Sequence, residues 1–145
     1  MDHDHGIIGT WKLASAVLTT LNGATRKLLG ENPSGFLTYT GDGRMTAIVA
    51  SGERRPLSVA DPSAAPAAEQ AEAFATFTAY AGRYTFLGDR VIHHVEVSLF
   101  QNWAGTDQIR FAELNGARLT LTAPPMSIGG EQVVVQLTWE RWNQP

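Results

Sequence analysis

Read along the chain, apolar and polar positions alternate at period two over most of the sequence, with turn residues at short intervals, which is the pattern of half-buried β-strands. Trp11, Leu13, Ser15 and Val17 fall on one face and Thr10, Lys12, Ala14 and Ala16 on the other, predicting a first strand over 9–20. The same pattern predicts strands over 26–29, 36–40, 44–50, 82–86, 90–98, 107–114, 118–123 and 131–142. The connections "NGATR", "GDGR", "GDR" and "NGAR" each combine turn-forming Gly, Asn or Asp with an Arg at the start of the next strand, the signature of a meander. Eight or nine short strands joined in this way must either expose two edges or close on themselves. The expected architecture is therefore mainly β, an antiparallel up-and-down barrel of about eight strands.

One segment breaks the alternation. Residues 66–80, "PAAEQAEAFATFTAY", are rich in Ala, Glu and Gln and start with a Pro suited to a first helical turn. They predict one inserted helix that covers an end of the barrel, with Phe74, Phe77 and Tyr80 on neighbouring parts of one face.

The 145 residues fit one domain, spanning 1–145, with room for a core that needs neither disulfide nor metal. Net charge is −3, and the 11 Lys and Arg residues are scattered, so nucleic acid is not an expected partner. Cysteine is absent, which excludes thiol chemistry and Cys-ligated zinc and fits a reducing compartment. The opening "MDHDHGIIGTW" has no basic leader followed by an apolar run, and no stretch has the length of a membrane span. A soluble, cytoplasmic protein without membrane contact is the expectation.

"GTWKL" at Gly9 to Leu13 and "WER" at Trp139 to Arg141 resemble the calycin and lipocalin arrangement, in which an N-terminal Gly-x-Trp packs against a basic side chain of the last strand. Gly9, Trp11 and Arg141 would then close the barrel, by a guanidinium stacked over an indole. The longer stretches "GENPSGFLTYTGDGRMTA", "YAGRYTFLGDRVIHHVEVSLFQNWAGTDQIRF" and "LNGARLTLTAPP" resemble the bacterial and fungal lipocalin-like domain family. That resemblance covers nearly the whole chain and implies a barrel with a central cavity; function has to come from the side chains in it.

Candidate chemistry centres on "VIHHVEVS", 91–98. Adjacent strand residues point to opposite faces, so only one of the two histidines looks inward. Val91, Val95 and Val97 share a face with His93, which places His93 inside, and His94 outside with Glu96. The reverse assignment would line the cavity with His94, Glu96 and Ser98. An inward His93 is either a satisfied core histidine or an acid–base or anchoring group. Arg110 lies on a strand with no clearly apolar face; pointing inward, it could hold a ligand carboxylate or enolate through two parallel hydrogen bonds. Tyr39 and Tyr84 are mid-strand, Asn102 and Trp103 belong to a loop at a barrel end, and with His94 and Phe77 they complete the candidate ligand contacts. His3 and His5 in "DHDH" fit a mobile terminus better than a metal site, and no phosphate loop, dinucleotide fingerprint or nucleophile elbow occurs. No metal and no cofactor is expected.

Two functions remain open. One is binding of a small hydrophobic or aromatic metabolite in a central cavity, with a homodimer not excluded. The other is a cofactor-independent isomerase, cyclase or lyase, in which His93, or His94 with Glu96, moves a proton while Arg110 or a tyrosine stabilises negative charge. The surroundings of His93 separate them: an imidazole within hydrogen-bond reach of a cavity that also holds Arg110 or a tyrosine hydroxyl favours an enzyme, and one with both nitrogens held by fixed protein partners favours a binder or a merely structural residue. A barrel acting only as an interaction scaffold is a third class, for which the sequence locates no surface.

Overall fold

The computed structural model describes residues 6–142. Ten strands form one sheet: β1 (Gly9–Thr20), β2 (Thr25–Lys27), β3 (Ser34–Tyr39), β4 (Arg44–Ala50), β5 (Phe77–Phe86), β6 (Arg90–Ser98), β7 (Asp107–Asn115), β8 (Arg118–Thr122), β9 (Met126–Ile128) and β10 (Glu131–Arg141). Eight of them run antiparallel around a closed barrel in the order β1, β3, β4, β5, β6, β7, β8, β10, and the β1–β10 pairing joins the two ends. The short β2 and β9 extend β1 and β10 past the barrel rim. Closure leaves the eight strands without the unpaired edge that an open sheet would present.

The turns at one end are tight, as their Gly, Asn and Asp residues dictate, and this end is sealed by the N-terminal strand and its neighbours. Trp11 Nε1 donates to the Ile7 carbonyl at 2.9 Å, and the Arg141 guanidinium lies 4.2 Å from the centre of the Trp11 ring. Arg141 also donates to the carbonyls of Ile8 and Gly6, at 2.9 and 2.6 Å. Gly9 makes this approach feasible. Its φ is +131°, a region side-chain-bearing residues rarely occupy, and a Cβ there would stand 3.0 Å from an Arg141 nitrogen.

Two bulges change the faces expected from simple alternation. In β1, Leu13 pairs with Trp139 but Ser15 with Thr138, so Ala14 is an extra residue. The parity therefore reverses after it: Ala16 and Leu18 turn inward with Trp11 and Leu13, and Val17 does not share their face. In β6, Gly82 pairs with Val95 and Ala81 with Val97, which makes Glu96 the extra residue. Val97, expected inside with Val91, His93 and Val95, is consequently turned out and 64% exposed. Gly82 permits this bulge, because a Cβ at that position would overlap the His94 carbonyl.

The inserted helix, α1 (Ala67–Ala75), is shorter than the predicted 66–80. From Phe77 the chain is already strand, pairing residue by residue with β4 from Ala50 to Arg44. The β-branched Thr76 and Thr78 and the alternation of Tyr80, Gly82 and Tyr84 favour extended backbone there. Phe74 stays on the exposed helix, Phe77 begins the strand, and Tyr80 is buried in the barrel, so the three do not form one helical face. Among the described residues, no helix is long and apolar enough to cross a membrane.

The barrel axis is occupied by one continuous cluster that includes Trp11, Leu13, Leu37, Met45, Val91, Val95, Leu119, Leu121 and Trp139. Three tyrosines, Tyr39, Tyr80 and Tyr84, belong to it, and His93 lies among them with 1% of its surface exposed.

Candidate functional site

β6 brings His93 into the barrel, and two strands on its own side of the wall supply its partners. Tyr39, at the end of β3, places its hydroxyl 2.6 Å from His93 Nε2. Tyr80, on β5, places its hydroxyl 2.8 Å from His93 Nδ1. Both ring nitrogens are thus held by phenols. Tyr84 packs edge-on against Tyr39, with ring centres 4.8 Å apart, and donates its own hydroxyl to the Thr40 carbonyl at 2.8 Å.

At the other end of this column is the barrel mouth, formed by α1 and by the β6–β7 connection, where a single helical turn spans Gln101–Trp103. Trp103 meets Tyr80 edge-to-face at 5.5 Å and Phe100 at 5.9 Å. The Arg110 guanidinium lies 5.7 Å from the centre of the Trp103 ring, and its Nη1 donates to the Ile109 carbonyl. The result is a continuous series, Arg110, Trp103, Tyr80, His93, Tyr39, Tyr84, running from the mouth toward the closed end.

Burial fixes the protonation of this series. It holds the His93 ring down to about 3, helped by the nearby Arg110 cation and by His94, so the imidazole is neutral at physiological pH. Burial pushes the Tyr39 phenol well above its usual value, with neighbouring Tyr80 adding to the effect, and raises Tyr80 as well. The three groups are neutral together. A neutral imidazole has one N–H donor and one acceptor nitrogen, so it donates to one phenol and accepts from the other.

The remaining predicted residues lie elsewhere. His94 is on the outer wall, half-buried, between Thr85 Oγ1 and the Asp107 carboxylate, each 2.9 Å away. Glu96 is exposed at the bulge and paired with Arg44 at 2.7 Å and Arg83 at 3.3 Å, which hold its carboxyl below the usual range. Neither His94 nor Glu96 shares the interior with His93. Asn102 is exposed in the turn beside Trp103. Phe77 is half-buried at the start of β5 under the Arg54 guanidinium, 4.9 Å from its ring centre. His3 and His5 lie outside the described residues. Among the described residues, no cluster of three or more metal-ligating side chains occurs.

Sequence reasoning missed two parts of the site. Tyr80 was placed on a helix, although the spacing of Tyr80, Gly82 and Tyr84 carries the period of a strand. The second omission is an apolar hollow of about 420 Å³ beside α1, lined by Arg54, Leu57, Phe74, Phe77 and Leu99 among others, and by none of Arg110, Trp103, Tyr80 and His93. Arg54 helps to hold its shape, donating to the Ala73 carbonyl and Thr76 Oγ1 at the C-terminal turn of the helix. A more polar hollow of about 300 Å³, lined by Arg55, Ser58 and Glu69, flanks the same helix.

The family model described as a lipocalin-like domain matches residues 8–142. The 4'-hydroxy-3'-methoxypropiophenone carrier protein ppsC of Aspergillus oryzae (strain ATCC 42149 / RIB 40) is 38% identical over 82 residues, which cover 50% of this chain and 74% of that protein. Among solved structures, a mutant of the fluorescent protein UnaG aligns over 92% of this chain and 94% of its own, at 15% identity and a TM-score of 0.38.

Proposed function

The chain belongs to the lipocalin-like domain family, and we propose that it binds a small aromatic molecule at the mouth of its barrel. The observation that carries this reading is the ordered series from Trp103 through Tyr80 to His93, which runs from the barrel mouth into the interior. Aromatic walls give a planar ligand contact area, while a few fixed hydroxyls orient it. The relative ppsC is named as a carrier of an aryl ketone, a planar ring bearing a carbonyl, a phenol and a methoxy group. That chemistry suits an aromatic lining with phenolic donors. With the barrel axis filled by Trp11, Leu37, Leu119 and Trp139, the proposed seat lies at the mouth rather than in the central cavity expected from the sequence.

Proton transfer by His93 is the weaker reading. Both nitrogens are engaged, and a ring held near 3 is a poor base at neutral pH. The test is titration with 4'-hydroxy-3'-methoxypropiophenone and a panel of aromatic metabolites, followed by tryptophan emission and calorimetry. Saturable heat is expected with at least one compound. Its emission change should shrink in Trp103→Phe, because that indole would contact the ligand. Flat traces in both measurements across the panel would overturn the proposal.

A further inference from the structure

Arg110 is a cation on the inner wall, and among the described residues it has no counter-charge. On β7, Ala112 is buried while Ile109 and Phe111 are exposed, so Gln108, Arg110 and Ala112 make the inward face. The ion-paired arginines of this chain lie outside the barrel: Arg26 with Glu131, Arg44 and Arg83 with Glu96, Arg90 with Asp89, and Arg118 with Glu140. Among the described residues, no carboxylate lies within ion-pair distance of Arg110. One of its five N–H donors goes to the Ile109 carbonyl, and its Cζ lies 5.7 Å from the centre of the Trp103 ring. A guanidinium held beside an indole, with most donors uncommitted, is ready for a two-point hydrogen bond to an oxyanion.

A count of hydrogens points the same way. Tyr39, His93 and Tyr80 are all neutral and bring three polar hydrogens between them, but they share only two contacts. One phenolic hydrogen is therefore left over, whichever ring nitrogen carries the proton. When Nδ1 carries it, Nδ1–H donates to Tyr80, Nε2 accepts from Tyr39, and the spare hydrogen belongs to Tyr80. That is the phenol in contact with Trp103. The Arg110 charge also acts on Tyr80, Tyr39 and His93, which places the guanidinium within electrostatic reach of the whole triad.

We propose that the mouth is an anion seat, in which Arg110 and the spare Tyr80 hydroxyl grip the charged oxygens of an aromatic acid while Trp103 and Tyr80 flank its ring. This rests on the binding reading above and adds the charge of the ligand to it. Binding would also select the Nδ1–H form of His93, since only that form frees the Tyr80 hydrogen.

Two dyes that differ by one group provide the test: neutral N-phenyl-1-naphthylamine and its sulfonate, 1-anilinonaphthalene-8-sulfonate. The native chain is expected to bind the sulfonate at least tenfold more tightly, with an advantage that shrinks as salt is raised. Arg110→Gln should weaken the sulfonate by tenfold or more and change the neutral dye by less than twofold. Arg110→Lys should fall between, because it keeps the charge and loses the planar fork. Tyr80→Phe should weaken the sulfonate about threefold. Neutral-dye binding reports that each variant has folded. Equal affinity of the native chain for both dyes would overturn the anion seat while leaving aromatic binding in place. So would a loss of sulfonate binding in Arg55→Gln, beside the polar hollow, matching that in Arg110→Gln. Binding of neither dye would overturn the aromatic-binding reading itself.

Discussion

The two ends of the barrel both carry aromatic side chains and are organised in opposite ways. At the closed end, Trp11 and Arg141 pack on each other and donate to the carbonyls of Gly6, Ile7 and Ile8, and the buried Trp139 Nε1 is the donor left without a partner there. Toward the mouth, the Tyr39–His93–Tyr80 triad carries one hydrogen more than it can use, Arg110 lacks a counter-ion, and Phe74, Leu99 and Phe100 keep roughly 40–50% of their surface in solvent. A region optimised only for stability would pair or bury these groups, since exposed aromatics and uncommitted buried donors both raise the free energy of the folded state. The contrast separates a scaffold from a site. Substitutions at the two ends should therefore have different consequences.

The largest effect is expected at the closed end. Trp11→Ala removes a fully buried indole and the platform for Arg141, and should cost about 3–5 kcal/mol in urea denaturation. Dye affinity measured on the folded fraction should stay unchanged. A parallel drop in affinity would mean that the two ends are coupled and do not divide into scaffold and site.

His93→Gln, at the inner end of the site, should cost about 2 kcal/mol at pH 7, because two phenols lose their geometry. Its clearer signature is the pH profile. The native ring titrates near 3 and the unfolded ring near 6.5, so unfolding takes up a proton between these values. The resulting stabilisation is complete above pH 6.5 and is lost as pH falls toward 3. Between pH 6.5 and 4.5, above the range in which the held-down carboxylates Glu96, Asp61, Glu69 and Asp89 titrate, the native chain should lose about 1.4 kcal/mol per pH unit. His93→Gln should flatten that slope. A variant with the native slope would show that another group takes up the proton.

How far the sequence foretells this arrangement depends on what each residue needs from the chain. The tight turns are local chemistry, so the bounds of β1, β4 and β6 follow from the positions of Gly, Asn and Asp to the residue. Alternation also places His93 on the valine face. What alternation does not carry is a bulge: Ala14 and Glu96 are ordinary residues made extra by the partner strand, and each reverses the faces beyond it. The residues after α1 fail differently. "FATFTAY" suits a helix by spacing and a strand by its threonines, and pairing with β4 decides, a long-range interaction invisible in a short window. The Tyr80–His93 contact inherits that ambiguity. The hollow beside α1 joins the 54–57 loop, the helix and Leu99, and only the folded chain assembles it.

A smaller effect tests whether the triad acts as one unit. Tyr39→Phe and Tyr80→Phe should each cost about 1 kcal/mol. The double variant should cost measurably less or more than their sum, because both hydroxyls hold the same ring and share its single N–H. Strict additivity in a denaturation cycle would mean that the two contacts are independent.

The smallest effect should come from Glu96, the carboxylate that the sequence set beside the histidines. Alternation sets it on the outer wall with His94, where Arg44 and Arg83 bracket it with its side chain 45% exposed. Exposed pairs of this kind contribute little, because solvent already screens each charge well and ordering the long side chains costs entropy. Glu96→Gln should leave unfolding midpoint and dye affinity within experimental scatter, while Arg110→Gln, on the adjacent strand and facing the inner wall, weakens sulfonate binding tenfold or more. A loss of affinity in Glu96→Gln would have to travel through Gly82 and the β5–β6 bulge to Tyr80. In that case the outer wall would help to shape the mouth, and the separation of scaffold from site would have to be redrawn across the barrel wall instead of along its axis.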